Sequence, residues 1–214
     1  MKSVRIFLGL MCVMLLFPFP AAAGSAVEWH IRGPLTFLGI TFGENLFVAV
    51  GEQGALLTSP DGKSWISVKS GTSEPLRGVT RGKDTFIAVG DKGTILASLD
   101  GSKWTAVSSG IDRSLQGVAY GNDLFVAVGE KGTVLSSTDG NTWKEVLSGQ
   151  SESLRSATFA GGRFFVSGDG GSILTSQDGA NWKKGVTGVT FSIKGVAAGK
   201  GGFVAVGGRN SVLV

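Results

Sequence analysis

The sequence predicts an all-β fold, a β-propeller of four-stranded blades, on three observations. The chain repeats on itself at an offset of 39 residues across most of its length. Each repeat holds apolar runs of four to six residues rich in Val, Ile, Phe and Thr, the residues that suit a pleated, half-buried surface. Gly, Asn and Asp separate the runs, and four short strands with tight turns in about forty residues make one blade. A β-solenoid, the other all-β repeat, normally has shorter coils and lacks a tryptophan-anchored hairpin. Glycine supplies 35 of 214 residues, about twice the average share, so turns are frequent. Without a G-X-Y period, and with only 5 prolines, the chain is not collagenous.

The elements follow from the columns of the repeat. Phe47, Phe86, Phe125, Phe164 and Phe203 form one column, and Gly51, Gly90, Gly129, Gly168 and Gly207 form another four residues on. Leu57, Leu96, Leu135, Leu174 and Leu213 form a third. In the third unit the runs predict strands near 115–120, 124–128, 133–137 and 142–147. The fifth unit offers the first three strands only. The run Val27, Glu28, Trp29, His30, Ile31 reads as a Trp-bearing fourth strand. Completing the last blade with it closes a five-bladed ring and removes two exposed sheet edges, which would otherwise invite aggregation. A piece of a larger propeller, seven-bladed or otherwise, is the rival architecture.

Ahead of the repeats stand Lys2 and Arg5, an uncharged apolar run over residues 6–19, and Ala21, Ala22, Ala23 and Gly24. That is the plan of a secretory signal peptide cleaved after Ala23, and the run is short for a membrane span, which needs about twenty residues. The expected organisation is a signal peptide over residues 1–23 and a propeller of five 39-residue repeats over 24–214, secreted or periplasmic, with no membrane span after cleavage. Cys12 leaves with the leader. Loss of Lys2 and Arg5 lowers the formal charge from +4 to +2, and the remaining cations are dispersed among carboxylates, so no nucleic-acid footprint is expected.

One pattern recurs four times at constant spacing, Ser-x-Asp-Gly-x-x-Trp. It comprises Ser59, Asp61, Gly62 and Trp65; Ser98, Asp100, Gly101 and Trp104; Ser137, Asp139, Gly140 and Trp143; and Ser176, Asp178, Gly179 and Trp182. A hairpin explains it: the carboxylate accepts backbone N–H bonds across its own turn, the glycine takes a positive φ, and the indole covers the hairpin. Truncating such a tryptophan, if buried, costs on the order of 3–5 kcal/mol. A single carboxylate per hairpin, repeated in every blade, suits a structural element better than a calcium site or a catalytic acid.

The pattern resembles the Asp-box, or BNR repeat, of sialidases and of noncatalytic bacterial propellers. With V-G-x-x-G-T-I-L ahead of it, the unit is similar to the WD40/YVTN/BNR-like propellers that include the photosystem II assembly factors. The likeness covers residues 27–214. The usual box has a residue between Asp and Gly and a Thr before Trp; here the two are adjacent and only Thr142 keeps the hydroxyl. The resemblance implies boxes at the blade periphery, away from the ligand face, and a scaffold that binds protein.

Catalytic chemistry finds little support. One histidine and one cysteine exclude a multi-His or Cys-rich metal site, and no cofactor is expected. A sialidase-like hydrolase would need a tyrosine nucleophile, and the sole tyrosine, Tyr120, stands in a column with Phe42, Arg81, Phe159 and Ala198. His30 is expected to be structural or exposed. The candidate ligand rim is formed by two columns, Glu52, Asp91, Glu130 and Asp169 after the second strand, and Arg77, Arg155 and Lys194 at the start of the first. Both should face one mouth, either as solvated ion pairs or as a charged platform for a partner. The sequence thus predicts an exported, monomeric, noncatalytic scaffold with a protein partner; a carbohydrate-binding propeller is the alternative, and a glycoside hydrolase a more distant one.

Overall fold

The computed structural model describes residues 36–199, 202–209 and 211–213. The expected signal peptide, His30 and the run 27–31 lie outside the described residues. Among the described residues nineteen strands fall into five antiparallel sheets, each ordered as in the sequence. The first sheet holds β1 (Phe37–Gly43), β2 (Leu46–Gly51), β3 (Leu56–Ser59) and β4 (Ile66–Ser67); the second β5 (Leu76–Gly82), β6 (Thr85–Gly90), β7 (Ile95–Ser98) and β8 (Thr105–Val107). The third holds β9 (Leu115–Gly121), β10 (Leu124–Gly129), β11 (Val134–Ser137) and β12 (Lys144–Val146). The fourth holds β13 (Leu154–Ala160), β14 (Arg163–Gly168), β15 (Ile173–Ser176) and β16 (Lys183–Lys184). Among the described residues the fifth holds three strands, β17 (Ile193–Gly199), β18 (Gly202–Gly207) and β19 (Val212–Leu213). The strands expected in the third unit fall within two residues of those observed.

Local chemistry sets each turn. The first hairpin of each of the first four sheets turns on two residues of positive φ, namely Glu44 and Asn45, Lys83 and Asp84, Asn122 and Asp123, and Gly161 and Gly162. Two left-handed residues in a row match the right-handed twist of the flanking strands. At the other end a short 3-10 turn links the second strand to the third, as at Asp91–Gly93. There Gly90 lies so close to the carbonyl of Pro75 that a Cβ would overlap it.

Packing between sheets makes the core. The innermost strands β1, β5, β9, β13 and β17 stand side by side in that order, whereas β17 and β1 share no comparable packing. Each sheet turns one face to its predecessor and the other to its successor. Between the second and third sheets, Ile87, Val89, Ile95 and Ala97 meet Leu115, Val118, Phe125, Ala127 and Leu135. The same columns meet between the first and second sheets and between the third and fourth. The junction between fourth and fifth is smaller, with Phe165, Ile193, Val196 and Ala205 buried at its centre.

A size match recurs at these junctions. The column of Arg81, Tyr120 and Phe159 lies over the column of Gly43, Gly82 and Gly121 in the preceding sheet, where any Cβ would overlap the incoming side chain. Each incoming side chain also rests on a phenylalanine of its own sheet. Tyr120 lies 4.6 Å from Phe125 and Phe159 lies 4.8 Å from Phe164, centroid to centroid. The Arg81 guanidinium sits 4.6 Å from the Phe86 centroid, a cation–π contact.

Candidate functional site

Two sets of predicted residues separate to opposite ends of the sheets. Phe37 pairs with Gly51 at the rim end, and Phe47 pairs with Ser59 at the end that carries the Ser-x-Asp-Gly hairpins.

The hairpins are self-contained. Asp61 Oδ1 accepts from the backbone N–H groups of Lys63 (2.8 Å) and Ser64 (2.7 Å) and from the Ser59 hydroxyl (3.0 Å). Gly62 donates its N–H to Ser59 Oγ at 2.8 Å, and the Trp65 indole N–H donates to the Gly62 carbonyl at 3.1 Å. The pattern repeats around Asp100, Asp139 and Asp178. Backbone N–H donors favour the charged form, and they hold Asp61 at about 2, below its usual 3.8. Asp100, Asp139 and Asp178 are pulled lower still, the first cause in each case a backbone N–H. In each hairpin the carboxylate's Oδ1 is engaged by the turn it belongs to. The indole rings are half-buried, not enclosed, so truncation costs less than a fully buried tryptophan would. Gly101, Gly140 and Gly179 pack against Leu46, Ile87 and Leu124 of the preceding sheet. The hairpins therefore also tie sheet to sheet.

At the opposite end the two rim columns lie side by side, and two pairs form between them. Each turn is stapled to the residue before its own first strand: Glu52 N–H donates to Thr36 O, Asp91 to Pro75 O, Glu130 to Ser114 O and Asp169 to Ser153 O, at 2.8–3.0 Å. That staple brings the acid column back beside the start of the first strand. Arg77 forms a two-pronged pair with Asp91, its Nη2 donating to Oδ2 at 2.9 Å. Arg155 grips Asp169 the same way, with Nη2 to Oδ2 at 2.6 Å. Each guanidinium holds its carboxylate below the usual range and is itself held above its own. The remaining rim residues have no such partner across their own sheet. Glu52 faces Leu38 in the register, Glu130 faces Gln116, and Lys194 faces Gly208. Glu52 and Glu130 both lie in the field of Arg77, and Glu130 also in that of Arg155. The rim thus alternates neutral pairs in the second and fourth sheets with single charges in the first, third and fifth.

Sequence reading missed two rim partners. Ser192 donates its hydroxyl to Asp169 Oδ1 at 2.6 Å, and Ser114 helps to hold Asp91. Both precede a first strand by one residue, a position shared with Thr36 and Ser153, and that hydroxyl column was the available signal. Tyr120 is placed in packing: its hydroxyl donates to Asp123 at 3.1 Å, and burial first, then that carboxylate, push its pKa up. A nucleophilic tyrosine needs the opposite. Among the described residues no group of three or more metal-ligating side chains gathers, and no helix is long and apolar enough to cross a membrane.

Comparison with known proteins agrees with this fold. The family described as the DUF6242 beta propeller domain matches residues 39–146, half of the chain. None of the curated proteins matches it. Among solved structures, YCF48 bound to D1 peptide superposes with a TM-score of 0.63 at 20% identity, over 83% of this chain and 62% of that one. YCF48 from Cyanidioschyzon merolae superposes with a TM-score of 0.62 at 17% identity, over 87% and 71%. The chain therefore spans less than two thirds of the first of these proteins. At such identities the likeness is one of fold. The chain belongs to the DUF6242 beta propeller family.

Proposed function

We propose that this member of the DUF6242 beta propeller family is an exported, noncatalytic scaffold that docks a protein partner across its charged rim. The five sheets are read as five blades, the fifth completed by a Trp-bearing strand of the kind that residues 27–31 spell. Export follows from the leader, with cleavage after Ala23, and puts the scaffold outside the cytoplasm.

The observation that carries the reading is the alternation at the rim. Two Arg–Asp pairs are internally neutralised and fix the turns, while Glu52, Glu130 and Lys194 stand opposite no charged residue of the other column. Exposed charges of this kind add little to stability, yet they steer and select a partner of complementary charge. Spaced along the rim, two acids and one base suit an extended polypeptide segment with basic groups toward the first and third sheets and a carboxylate toward the fifth. That one of the similar folds is YCF48 bound to D1 peptide supports peptide capture as a use to which this architecture can be put.

The test reverses the unmatched charges and spares the pairs. Crosslinking in the producing host, followed by identification of what co-purifies, is compared between the natural chain and a Glu52→Lys, Glu130→Lys, Lys194→Glu variant. A stoichiometric protein lost in the variant supports the scaffold. Equal recovery from both overturns rim docking, and saturable glycan binding without a protein partner moves the reading to a carbohydrate-binding propeller.

A further inference from the structure

The outermost strands guard their free edges unequally. Each of β8, β12 and β16 closes its sheet, and an edge of this kind is a template for another strand unless charge or proline blocks it. In the third and fourth sheets lysines stand on it, Lys144 on β12, Lys183 and Lys184 on β16. In the second sheet β8 reads Thr105, Ala106, Val107, with no charge and the first two side chains exposed. Register shows which of its backbone groups are free. In the first sheet the Val68 N–H donates to Leu56 O, in the fourth the Gly185 N–H donates to Ile173 O, and Val107 stands opposite Ile95 at the same place in the repeat. Inward bonding alternates along an antiparallel pair. Thr105 and Val107 therefore bond inward to β7, and Ala106 between them turns its N–H and C=O outward.

A hollow of about 550 Å³ opens where this edge ends, and its walls include Gly93, Val107, Ser109, Ile111 and Asp112. That is the size of a ligand site. The backbone sets its shape: the Ile111 carbonyl lies so close to Gly93 that a Cβ there would overlap it, and the Ser109 hydroxyl donates to that carbonyl at 3.1 Å. The first, third and fourth sheets repeat this close approach at Gly54, Gly132 and Gly171, but with other side chains around it. Where the second sheet has Val107, Ile111 and Asp112, the first has Val68, Thr72 and Ser73, the third Val146, Gln150 and Ser151, and the fourth Gly185, Val189 and Thr190. In the first sheet β4 is also uncharged, but Lys69 follows it in the column of Ser108. Val107 and Ile111 pack on the core between the second and third sheets, so the floor of the hollow is apolar and fixed. Asp112 is exposed, and its carboxylate has no ion pair or hydrogen bond among the described residues. The charges beside it in the chain are matched, Lys92 with Glu74 at 2.8 Å and Arg113 with Glu145.

We propose that the outer edge of the second sheet docks an extended segment of a partner protein, which adds a strand to β8, sets an aliphatic side chain over Val107 and Ile111, and meets Asp112 with a lysine or arginine. Main-chain bonds to Ala106 supply affinity, and the hollow and the acid supply selection. The occupant is an extended segment because the free groups are the backbone groups of one strand. It is cationic because the one unmatched charge at the hollow is a carboxylate. The inference does not rest on the use of the charged rim columns.

Fluorescence anisotropy of two labelled synthetic peptides tests it on the full chain, the cationic probe SKVTVKS and its acidic counterpart SEVTVES. The cationic probe binds saturably, and about fivefold or more tightly than the acidic one. Asp112→Lys reverses that preference, which a merely structural role for the residue would not do. Ala106→Pro removes the outward N–H and leaves the inward ladder whole, as an edge proline can. It weakens the cationic probe about tenfold or more. Should that variant fail to fold, Ala106→Lys, which copies Lys184 of the fourth sheet, takes its place with the same expected loss. A natural chain that binds neither probe up to millimolar concentration overturns the proposal, and so does binding that the Ala106 variants leave untouched. If instead the natural chain sediments as a dimer and Ala106→Lys as a monomer, with no peptide bound, the edge serves a second copy and the proposal fails.

Discussion

Phe125 and Phe42 are both rings on the face a sheet turns to its predecessor, one wholly buried between the second and third sheets, the other half exposed at the end of the row. The chemistry of the two faces is alike; only the neighbour differs. In a propeller the core is not inside a sheet but between sheets, so stability is a sum over junctions. The comparison teaches that burial here is set by the neighbouring sheet and not by the sheet that carries the ring.

Several substitutions break or sharpen that contrast. The largest effect is expected from Phe125→Ala, about 3–5 kcal/mol by denaturant titration, because a fully buried ring leaves a cavity between two sheets. Phe42→Ala costs under about 1 kcal/mol, since the ring is already half exposed. Equal losses would erase the distinction between junction and end. Next comes Gly82→Val, which puts a side chain where the Tyr120 ring lies and costs about 1–3 kcal/mol or more through overpacking. The double variant Gly82→Val, Tyr120→Ala regains part of that loss if the size match is real.

Smaller effects follow. Ser167 is fully buried and its hydroxyl has no partner among the described residues, in a column that holds Val50, Val89, Val128 and Val206 elsewhere. Ser167→Val should therefore stabilise by about 1 kcal/mol, by removing an unsatisfied buried donor. The hairpin aspartates set the acid limit. Their folded pKa values lie below the ordinary 3.8, Asp61 at about 2, so their contribution is complete above the carboxylate range and is lost as pH falls from about 4 through 2. Thermal midpoints should be flat from pH 7 to 5 and drop below 4. Asp100→Asn should shorten that drop. Smallest of all is Arg77→Gln at the rim, about 0–1 kcal/mol, as expected for a partly exposed pair.

Much of this was legible in the sequence because the fold is a repeat. The 39-residue columns placed every strand of the third sheet within two residues, and a column in the turn after the second strand belongs at the same end as one at the start of the first, where Arg77 holds Asp91 and Arg155 holds Asp169. The sequence did not announce which rim charges pair, because that depends on Leu38, Gln116 and Gly208 interrupting the columns. Nor did it announce the glycine and ring match, since Gly82 and Tyr120 are distant in the chain and meet only when two sheets stack. Columns read down the repeat reveal strands. Columns read against their neighbour in the next repeat reveal junctions, and there the sign was present but unread, with Ala160 opposite Ala198 and glycine opposite every large side chain.

The account's central claim is that the core lies in the junctions between sheets, where a glycine of one sheet receives a large side chain of the next. In denaturant titration the double variant Gly82→Val, Tyr120→Ala should therefore regain part of the stability that Gly82→Val alone loses. A double variant that loses the full sum of the two single changes would contradict it.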